Sequence, residues 1–297
     1  MKILNFGSLN IDYVYEVEHF ARKGETISSS NLRVSSGGKG LNQSIALSRA
    51  GVPVCHAGII GMDGIFLKEI LEEAGVDTKY LAVSDQIRTG NAIIQNDRYG
   101  DNCIILYGGA NQTITREYID QILDNFSEND WLLLQNEINE LPYIVESAHK
   151  KGMHIVLNPS PMDDKIFDIN LNHIHCFILN EMEAQNLVNY KENDMEVLKK
   201  VQETFPHAEI VLTLGEKGAV YQGKKGCISQ EKYAATVVDT TAAGDTFTGY
   251  YLSGILKGLD VKQAMQTAAK AAAIAVSRKG AAVSIPEMEE VTGKRNE

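Results

Sequence analysis

Several features that define other classes of protein are missing from this sequence of 297 residues. Its four cysteines, Cys55, Cys103, Cys176 and Cys227, lie far apart and show neither a CxxC pair nor metal-ligand spacing. We therefore expect no disulfide framework, and a reducing, cytoplasmic environment is predicted. No run of about 18 apolar residues is present, so no transmembrane helix is expected. Residues 1–7 become polar too soon for a signal peptide.

Positive charge is also scarce. The chain has 28 Lys and Arg against 39 Asp and Glu, which gives a formal net charge of −11. The densest basic runs are only pairs, Lys199 with Lys200 and Lys224 with Lys225. An acidic chain without a basic cluster binds nucleic acids and anionic membranes poorly. We therefore expect small-molecule partners, with no nucleic acid and no membrane.

What the sequence does contain is a regular alternation of strand-like and helical segments. The predicted buried strands are residues 3–6, 54–60, 131–135, 154–158, 176–179 and 210–214, and clear helical patterns cover 65–74, 138–150 and 194–204. Such alternation indicates a mainly parallel sheet with helices on both faces. In folds of this kind, ligands bind at the carboxyl ends of the strands.

Two stretches, 12–36 and 89–107, interrupt the alternation. Both contain alternating, strand-like residues and no convincing helix. They are predicted to pair as a small separate sheet that covers a site or meets a partner chain. Two surface hairpins are the simpler alternative. No linker divides the chain, and no internal repeat stands out, so we expect one domain over 1–297 with this sheet inserted.

The segment 237–247 points most directly to chemistry. It passes from β-branched residues, predicted as a strand, through small residues into a predicted helix over 246–257. The small residues are Ala242, Ala243 and Gly244. Free backbone N–H groups at a helix start form an anion site. Asp245, beside them, could accept a proton from a hydroxyl while the N–H groups hold a phosphoryl group. An ordinary helix cap is the alternative.

A glycine-rich segment, 35–42, precedes a predicted helix over 42–50. Gly38 allows the backbone to approach a polar ligand, and Lys39 and Asn42 supply donors. The segment is not a Walker loop, because Gly40 follows the lysine where Ser or Thr is required. Taken alone, it also fits a tight turn before a helix.

Polar residues follow three other predicted strands. Asn10 and Asp12 could bind two hydroxyls, although a local turn explains them equally. Asn180 and Glu183 share a helix face that suits hydrated Mg²⁺, and an acidic helix start is the alternative. Gly215, in the segment after the strand at 210–214, either places the backbone against a nucleotide or turns the chain.

Together and in this order, these segments resemble the PfkB carbohydrate kinase family over essentially the whole chain. The C-terminal signature of that family, Asp-Thr-x-Ala/Gly-Ala-Gly-Asp, appears at 239–245, its glycine-rich signature at 37–42 and its Asn-x-x-Glu motif at 180–183. The resemblance implies a ribokinase-like three-layer α/β sandwich. A mainly parallel central sheet would carry helices on both faces and a small β-sheet lid, which in the family often forms a homodimer.

The resemblance also implies roles for individual residues in an ATP-dependent sugar kinase. Asp245 would be the catalytic base, and residues 242–244 would form the anion hole. Sugar contacts would come from Asn10, Asp12, Gly38, Lys39, Asn42, Glu137 and Asp245. Nucleotide contacts would come from Asn180, Thr213, Gly215 and Gly244, while Glu183 would order Mg²⁺ through water.

The C-terminal part is most similar to the branch of the family that phosphorylates D-ribose at its 5-hydroxyl. Residues 271–281 resemble the helix and loop that bind a monovalent cation in that branch. The implied K⁺ ligands are Asp239, Thr241, Ala275, Arg278, Gly280 and Ser284. Deoxyribose, a fructose-type sugar or a nucleoside is the alternative substrate. The motifs show no arginine pair placed for a sugar phosphate. A non-catalytic sugar or nucleotide sensor is the alternative outside enzymology.

Overall fold

The computed structural model describes residues 1–293. The strands are β1 (Ile3–Phe6), β2 (Asn10–Glu16), β3 (Asn31–Gly37), β4 (Val54–Gly61), β5 (Asp77–Ser84), β6 (Gly90–Asn96), β7 (Asn102–Tyr107), β8 (Trp131–Gln135), β9 (His154–Asn158), β10 (Cys176–Asn180), β11 (Glu209–Thr213), β12 (Ala219–Gly223) and β13 (Gly226–Gln230). The helices are α1 (Lys39–Arg49), α2 (Ile65–Glu73), α3 (Arg116–Leu123), α4 (Leu141–Lys150), α5 (Glu181–Leu187), α6 (Asp194–Thr204), α7 (Ala243–Leu256), α8 (Val261–Val276) and α9 (Met288–Thr292). Over these residues, no helix combines the length and the apolar character needed to cross a membrane.

Nine strands form the main sheet, in the order β13-β12-β11-β10-β9-β8-β1-β4-β5. Pairing is parallel from β11 to β5, and β12 and β13 add an antiparallel edge. Successive residues of a strand point to opposite faces, so Leu132 and Leu134 of β8 enter one core and Leu133 enters the other. Burial on both faces explains why these strands read as continuous apolar runs.

Helices cover both faces of this sheet. Side chains of α3 to α6 complete the core on one face, and those of α1, α2, α7, α8 and α9 complete the core on the other. The three-layer α/β fold predicted from the alternation is confirmed. The carboxyl ends of β1, β8, β9 and β10 consequently meet along one edge of the sheet.

A second sheet contains four strands in the order β3-β2-β6-β7. Its strands arise from the two stretches that interrupt the alternation. The central pair, β2 with β6, is parallel, and both outer pairs are antiparallel. This small sheet has one side toward a large cavity, which Val14, Arg33, Ile94 and Ile104 line along one row of its register.

The structure differs from the sequence prediction where the chain enters α7. Val237 and Val238, predicted as the end of a strand, belong to no strand and are more than half exposed. The backbone N–H groups of Val238 and Asp239 instead donate to the carbonyl of Val276 at the end of α8, at 2.8 and 3.2 Å. A helix terminus, which always has unpaired carbonyls, takes the place of a neighbouring strand.

Two helices also begin earlier than predicted. Helix α1 starts at Lys39 and α7 at Ala243, three residues before their predicted starts. In each case the preceding residue has a positive φ, 94° at Gly38 and 60° at Ala242. A left-handed residue reverses the chain abruptly, so the helix begins at once and its first N–H groups face the cavity.

Candidate active site

The candidate site is a cavity of about 1260 Å³ between the two sheets. Its floor is the edge where β9, β10 and β11 end, its walls are the starts of α1 and α7, and its roof is the small sheet. This is the place at which open α/β sheets bind ligands. Residues from every motif of the sequence line it, including Asp12, Lys39, Asn180 and Asp245.

Asp245 occupies the first turn of α7 and is only 6% exposed. Asn42 donates from Nδ2 to its Oδ2 at 3.0 Å, and Gln43 donates from Nε2 to its Oδ1 at 2.9 Å. Both carboxylate oxygens therefore accept a hydrogen bond from α1. These two bonds fix the orientation of the carboxylate, as is required of a general base that takes a proton from a bound hydroxyl.

The turn before Asp245 presents backbone donors to the cavity, and its three residues are not equivalent. The N–H of Ala243 donates to the carbonyl of Thr240 at 3.2 Å. Within the described part of the chain, the N–H groups of Ala242 and Gly244 have no acceptor. Two unpaired donors and the positive end of the α7 dipole thus lie together at the cavity, an arrangement that can hold an anion.

Glu137 joins the glycine-rich segment to the chain after β1. Its Oε2 accepts the backbone N–H of Lys39 at 2.9 Å and a hydrogen bond from the Ser8 hydroxyl. Asn10 is fixed separately, because Asn111 donates to its Oδ1 at 2.8 Å. The predicted sugar contacts are thus brought together at one end of the cavity, and their positions depend on one another.

The ionisable groups at this end of the cavity change one another's pKa values. Burial, together with the charge of Glu137, raises the pKa of Asp12 to about 7. Burial also raises the pKa of Glu137, against the opposing effect of Lys39. For Lys39, burial lowers the pKa, but the carboxylates of Asp245 and Glu137 outweigh it, so the pKa lies above the usual value. Lys39 therefore remains a cation among acidic groups.

On the opposite side of the cavity, the predicted nucleotide residues follow the ends of β10 and β11. Asn180 caps α5 by accepting the N–H of Glu183 at 2.9 Å, and Glu183 returns a bond from its Oε2 to the N–H of Asn180 at 3.0 Å. Asn180 and Glu183 therefore cap α5, as the alternative explanation predicted, and they also line the cavity. Thr213 also lines the cavity, whereas Gly215 does not. Gly215 lies just beyond, with a φ of 51° and open space around its Cα.

The predicted cation ligands lie in two segments that are in contact. Asp239 accepts the N–H of Gly280 at 2.9 Å through one oxygen and the N–H of Thr241 at 2.9 Å through the other. Burial raises the pKa of Asp239, but hydrogen bonds from Thr241 and Gly280 outweigh it and the pKa lies below the usual value. Ser284 is buried and donates to the carbonyl of Ala281 at 2.7 Å. The side chain of Arg278 is instead paired with Glu290.

The proteins that this chain resembles are consistent with the site geometry described above. A family model described as pfkB family carbohydrate kinase matches residues 1–288. The chain belongs to the pfkB family of carbohydrate kinases. The ribokinase of Haemophilus influenzae is 34% identical over 292 residues, which are 96% of this chain and 95% of that protein.

Solved structures agree with the family. The ribokinase of Thermotoga maritima superposes with a TM-score of 0.88 at 32% identity, over 99% of both chains. The ribokinase of Arabidopsis thaliana, solved with ribose and ATP, gives a TM-score of 0.87 at 28% identity, over 99% of this chain and 98% of that one. This pfkB-family chain is thus an ATP-dependent sugar kinase.

Residues that the motifs did not indicate complete this pfkB-family site. Gln43 and Asn111 hold Asp245 and Asn10, and both are buried. For Gln43, the only signal that the sequence offered is that it directly follows the motif residue Asn42. Arg33 and Arg98, from the small sheet and the loop beside it, also line the cavity. Neither belongs to a motif.

Gly244 offers a test of the anion site. A Cβ built on Gly244 meets no atom within 4 Å, although the residue lines the cavity. We expect Gly244→Ala to fold at least as stably as the wild type, because alanine suits a helix better than glycine. We expect its kcat to fall on the order of 10²-fold, since the methyl group displaces the reacting phosphoryl group. Calorimetry and a steady-state kinase assay measure the two effects.

Gly254→Ala is the matched control within the same helix. There an added Cβ lies 2.8 Å from the Cβ of Ala264, away from the cavity. This variant should lose stability and retain kcat, the reverse of Gly244→Ala. Wild-type kcat in Gly244→Ala would show that no group approaches this N–H during turnover.

Proposed function

We propose that this sugar kinase phosphorylates D-ribose at the 5-hydroxyl and produces D-ribose 5-phosphate and ADP. The observation that carries the proposal is the cluster of hydrogen-bonding side chains beside Asp245, which suits a small sugar with free hydroxyls. Asn10 and Asp12 come from β2, Lys39 and Asn42 from α1, and Glu137 from the loop after β8. The ribokinases of Haemophilus and Thermotoga support the same assignment.

The lining of the cavity favours a free pentose over the alternatives. Within residues 1–293, no aromatic side chain lines the cavity, so no ring is available to stack on a nucleobase. Of the two arginines, Arg98 is paired with Glu18 at 3.5 Å and stacks on Tyr99. Arg33 is left as a single candidate for a sugar phosphate. Deoxyribose lacks one hydroxyl, and buried polar groups left unpaired in the site disfavour it.

In the proposed reaction, Asp245 accepts the proton of the 5-hydroxyl as the oxygen attacks the γ-phosphorus of ATP. The bond from that phosphorus to the β,γ-bridging oxygen breaks, and ADP leaves. The N–H groups of Ala242 and Gly244 stabilise the charge on the transferring phosphoryl group. Lys39 and Glu137 hold the sugar so that the hydroxyl lies beside Asp245.

The residues present fit both cations that the family implies. Glu183 has one carboxylate oxygen, Oε1, without a hydrogen bond among the described residues, and it lies by the cavity. It would hold Mg²⁺ through water, and Mg²⁺ would supply charge neutralisation on the phosphates. The carboxylate of Asp239 and the nearby carbonyls and hydroxyl of 275–284 form an oxygen-rich donor set suited to K⁺. Carbonyls of Thr241, Ala275, Arg278 and Gly280 would contribute, with Ser284.

The proposal is tested by following ADP release with ribose, deoxyribose, fructose, fructose 6-phosphate and adenosine as acceptors. We expect ribose to give the highest kcat/KM. We expect Asp245→Asn to lower kcat with ribose by at least about 10²-fold, because a general base contributes that much. A higher kcat/KM for another acceptor would identify that acceptor, rather than ribose, as the substrate. Turnover with none of them would favour the alternative of a non-catalytic sugar or nucleotide sensor.

A separate test concerns the monovalent cation. With tetramethylammonium in place of K⁺, we expect kcat to fall by up to about 10²-fold, the effect of losing one donor of an anion hole. The reason is that Asp239 and Thr241 lie just before the turn whose N–H groups form that hole. Asp239→Ala should abolish the difference between the two salts at equal ionic strength. Equal wild-type rates in both salts would contradict the site.

We further propose that the small sheet is the lid of a single domain and that two chains associate through it in the cytoplasm. The side of the sheet that faces away from the cavity carries an apolar row in register, formed by Val34, Tyr13, Ile93 and Ile105. Ile105 is 58% exposed and Val34 is 52% exposed. Contiguous exposed apolar residues on a sheet of this kind are typical of a protein interface.

The proposed homodimer can be tested by placing a charge in this apolar row. We expect the wild-type chain to have the mass of two chains by light scattering, and Ile105→Lys to have the mass of one, because a charge is costly at an apolar interface. Phe167→Lys is the control, since Phe167 is 52% exposed and belongs to none of the four strands of the small sheet. A monomeric wild type, or a dimeric Ile105→Lys, would exclude this interface.

A further inference from the structure

Gln43 contacts Asp245 but is not among the residues predicted to bind sugar, nucleotide or cation. Its side chain is fully buried, with 0% exposure, in the middle of α1. From Nε2 it donates to Asp245 Oδ1 and to Asn158 Oδ1, both at 2.9 Å. Its Oε1 accepts from Gln135 Nε2 at 2.7 Å. Both of its N–H donors and its carbonyl are therefore used.

This pattern fixes the orientation of the amide of Gln43. A flip would turn Oε1 toward two acceptors, Asp245 Oδ1 and Asn158 Oδ1, and would turn Nε2 toward the donor of Gln135. Three favourable contacts would become three unfavourable ones, so the donor necessarily faces Asp245. The orientation of the Gln43 amide is therefore imposed by Gln135 and Asn158, which are themselves hydrogen-bonded within the main sheet.

The neighbours of Gln43 extend across three strands. Gln135 ends β8 and also donates to Asn5 Oδ1 in β1 at 3.0 Å. Asn5 in turn donates to Ser44 Oγ at 2.8 Å and to the carbonyl of Gly40 at 2.7 Å. Asn158 ends β9 and donates to the carbonyl of Ile178 at 2.9 Å. The orientation of Gln43 is thus set by residues of the main sheet.

The network is not optimal for stability. Gln135 Oε1 is buried without a hydrogen-bond partner in the described chain, and so is Nε2 of His56, where the network ends at Ser44. An unpaired buried polar atom costs free energy that an apolar core would not. Retaining such atoms in a network that leads to the reacting carboxylate is expected where an arrangement serves chemistry.

We propose that Gln43 is a positioning residue, which fixes one carboxylate oxygen of Asp245 so that the other oxygen is directed at the sugar hydroxyl. The inference rests on the proposed role of Asp245 as the base. Asn42 shares the second oxygen and lines the cavity, whereas Gln43 does not line it. Gln43 therefore has no direct contact with the cavity and acts on the reaction through the two cavity-lining side chains to which it donates, Asp245 and Asn158.

Other ionisable groups also face Asp245 or lie along the same cavity. Lys39 and Glu137 interact electrostatically with Asp245. The other ionisable groups that line the cavity are Asp12, Glu16, Arg33, Asp97, Arg98, Glu183, Asp239 and Lys279, and none of these ten bonds to Gln43 in the described structure. Burial lowers the pKa of His56 to about 4, so the end of the network is neutral at ordinary assay pH. A substitution of Gln43 consequently changes the environment of Asp245 without removing another charge.

The test compares Gln43→Met with Gln135→Met, measuring the single-turnover rate of ribose phosphorylation against pH at saturating ATP and ribose. Both variants replace a buried glutamine by an apolar side chain of similar size. Only the first removes a hydrogen bond to Asp245. Gln43→Met should lower the rate on the order of tenfold and move the acid limb of the profile upward by about one pH unit. Its KM for ATP should stay within about twofold of the wild type.

Gln135→Met should keep the wild-type acid limb, because Gln43 still donates to Asp245 in that variant. An unchanged profile in Gln43→Met, or the same displacement in both variants, would overturn the proposal and leave the network purely structural. Melting temperatures of both variants accompany the rates.

Gln43→Glu serves if Gln43→Met does not fold. The second carboxylate opposes ionisation of Asp245, so the acid limb should move further upward and the rate should recover at high pH. An acid limb at the wild-type position in this variant also overturns the inference. Asp245→Asn distinguishes a failure of the base assignment from a failure of the role of Gln43. If it retains turnover, the base assignment fails. If it is inactive while Gln43→Glu matches the wild type, only the role of Gln43 fails.

Discussion

Gly40, in the first turn of α1, packs directly on the backbone of Gly7 and Ser8, where the chain leaves β1. A Cβ at Gly40 would lie 2.4 Å from the nitrogen of Ser8, and one at Gly7 would lie 2.7 Å from the Cα of Gly40. Only two glycines allow this approach. Because α1 is held against β1 in this way, its next residues, Asn42 and Gln43, reach α7 and Asp245. The base, the sugar contacts and the buried amides all depend on this contact.

The contact also explains why the active site contains so many uncharged polar groups. Strands β8 and β9 end in amides, at Gln135 and Asn158, and β1 has an amide at its penultimate residue, Asn5. Each amide is both donor and acceptor, so a chain of amides passes an orientation from the sheet to the helix without adding net charge. A charged residue at the same depth would carry a large desolvation cost.

The sequence alone was sufficient for the layers of the fold and for the edge of the sheet at which the site lies. The bounds of β1, β8 and β9 were predicted correctly, because strands buried on both faces leave unbroken apolar runs. The small sheet was also located, since alternation without a helix is informative over 12–36 and 89–107. Asp245 was placed at the start of a helix, and the structure has it in the first turn of α7.

What the sequence did not reveal depends on contacts between distant segments. Val237 and Val238 have strong strand propensity, but their neighbour is the end of α8, which lies almost 40 residues later. Gln43 and Gln135 meet across 92 residues, and no local pattern marks a buried glutamine as a partner. The unequal donors of the turn at 242–244 follow from the positive φ of Ala242, a conformation that its residue type does not indicate.

The same geometry answers a question about charge. As a general base, Asp245 must be able to take a proton, in a cavity that also holds Asp12 and Glu137. An arginine or lysine bonded to a carboxylate makes that carboxylate a weaker base. Asp245 is instead held by two neutral amides, from Asn42 and Gln43, while Lys39 interacts with its charge without a hydrogen bond among the described residues. The ammonium group of Lys39 is therefore available to the ligand, and amides rather than cations orient the carboxylate of Asp245.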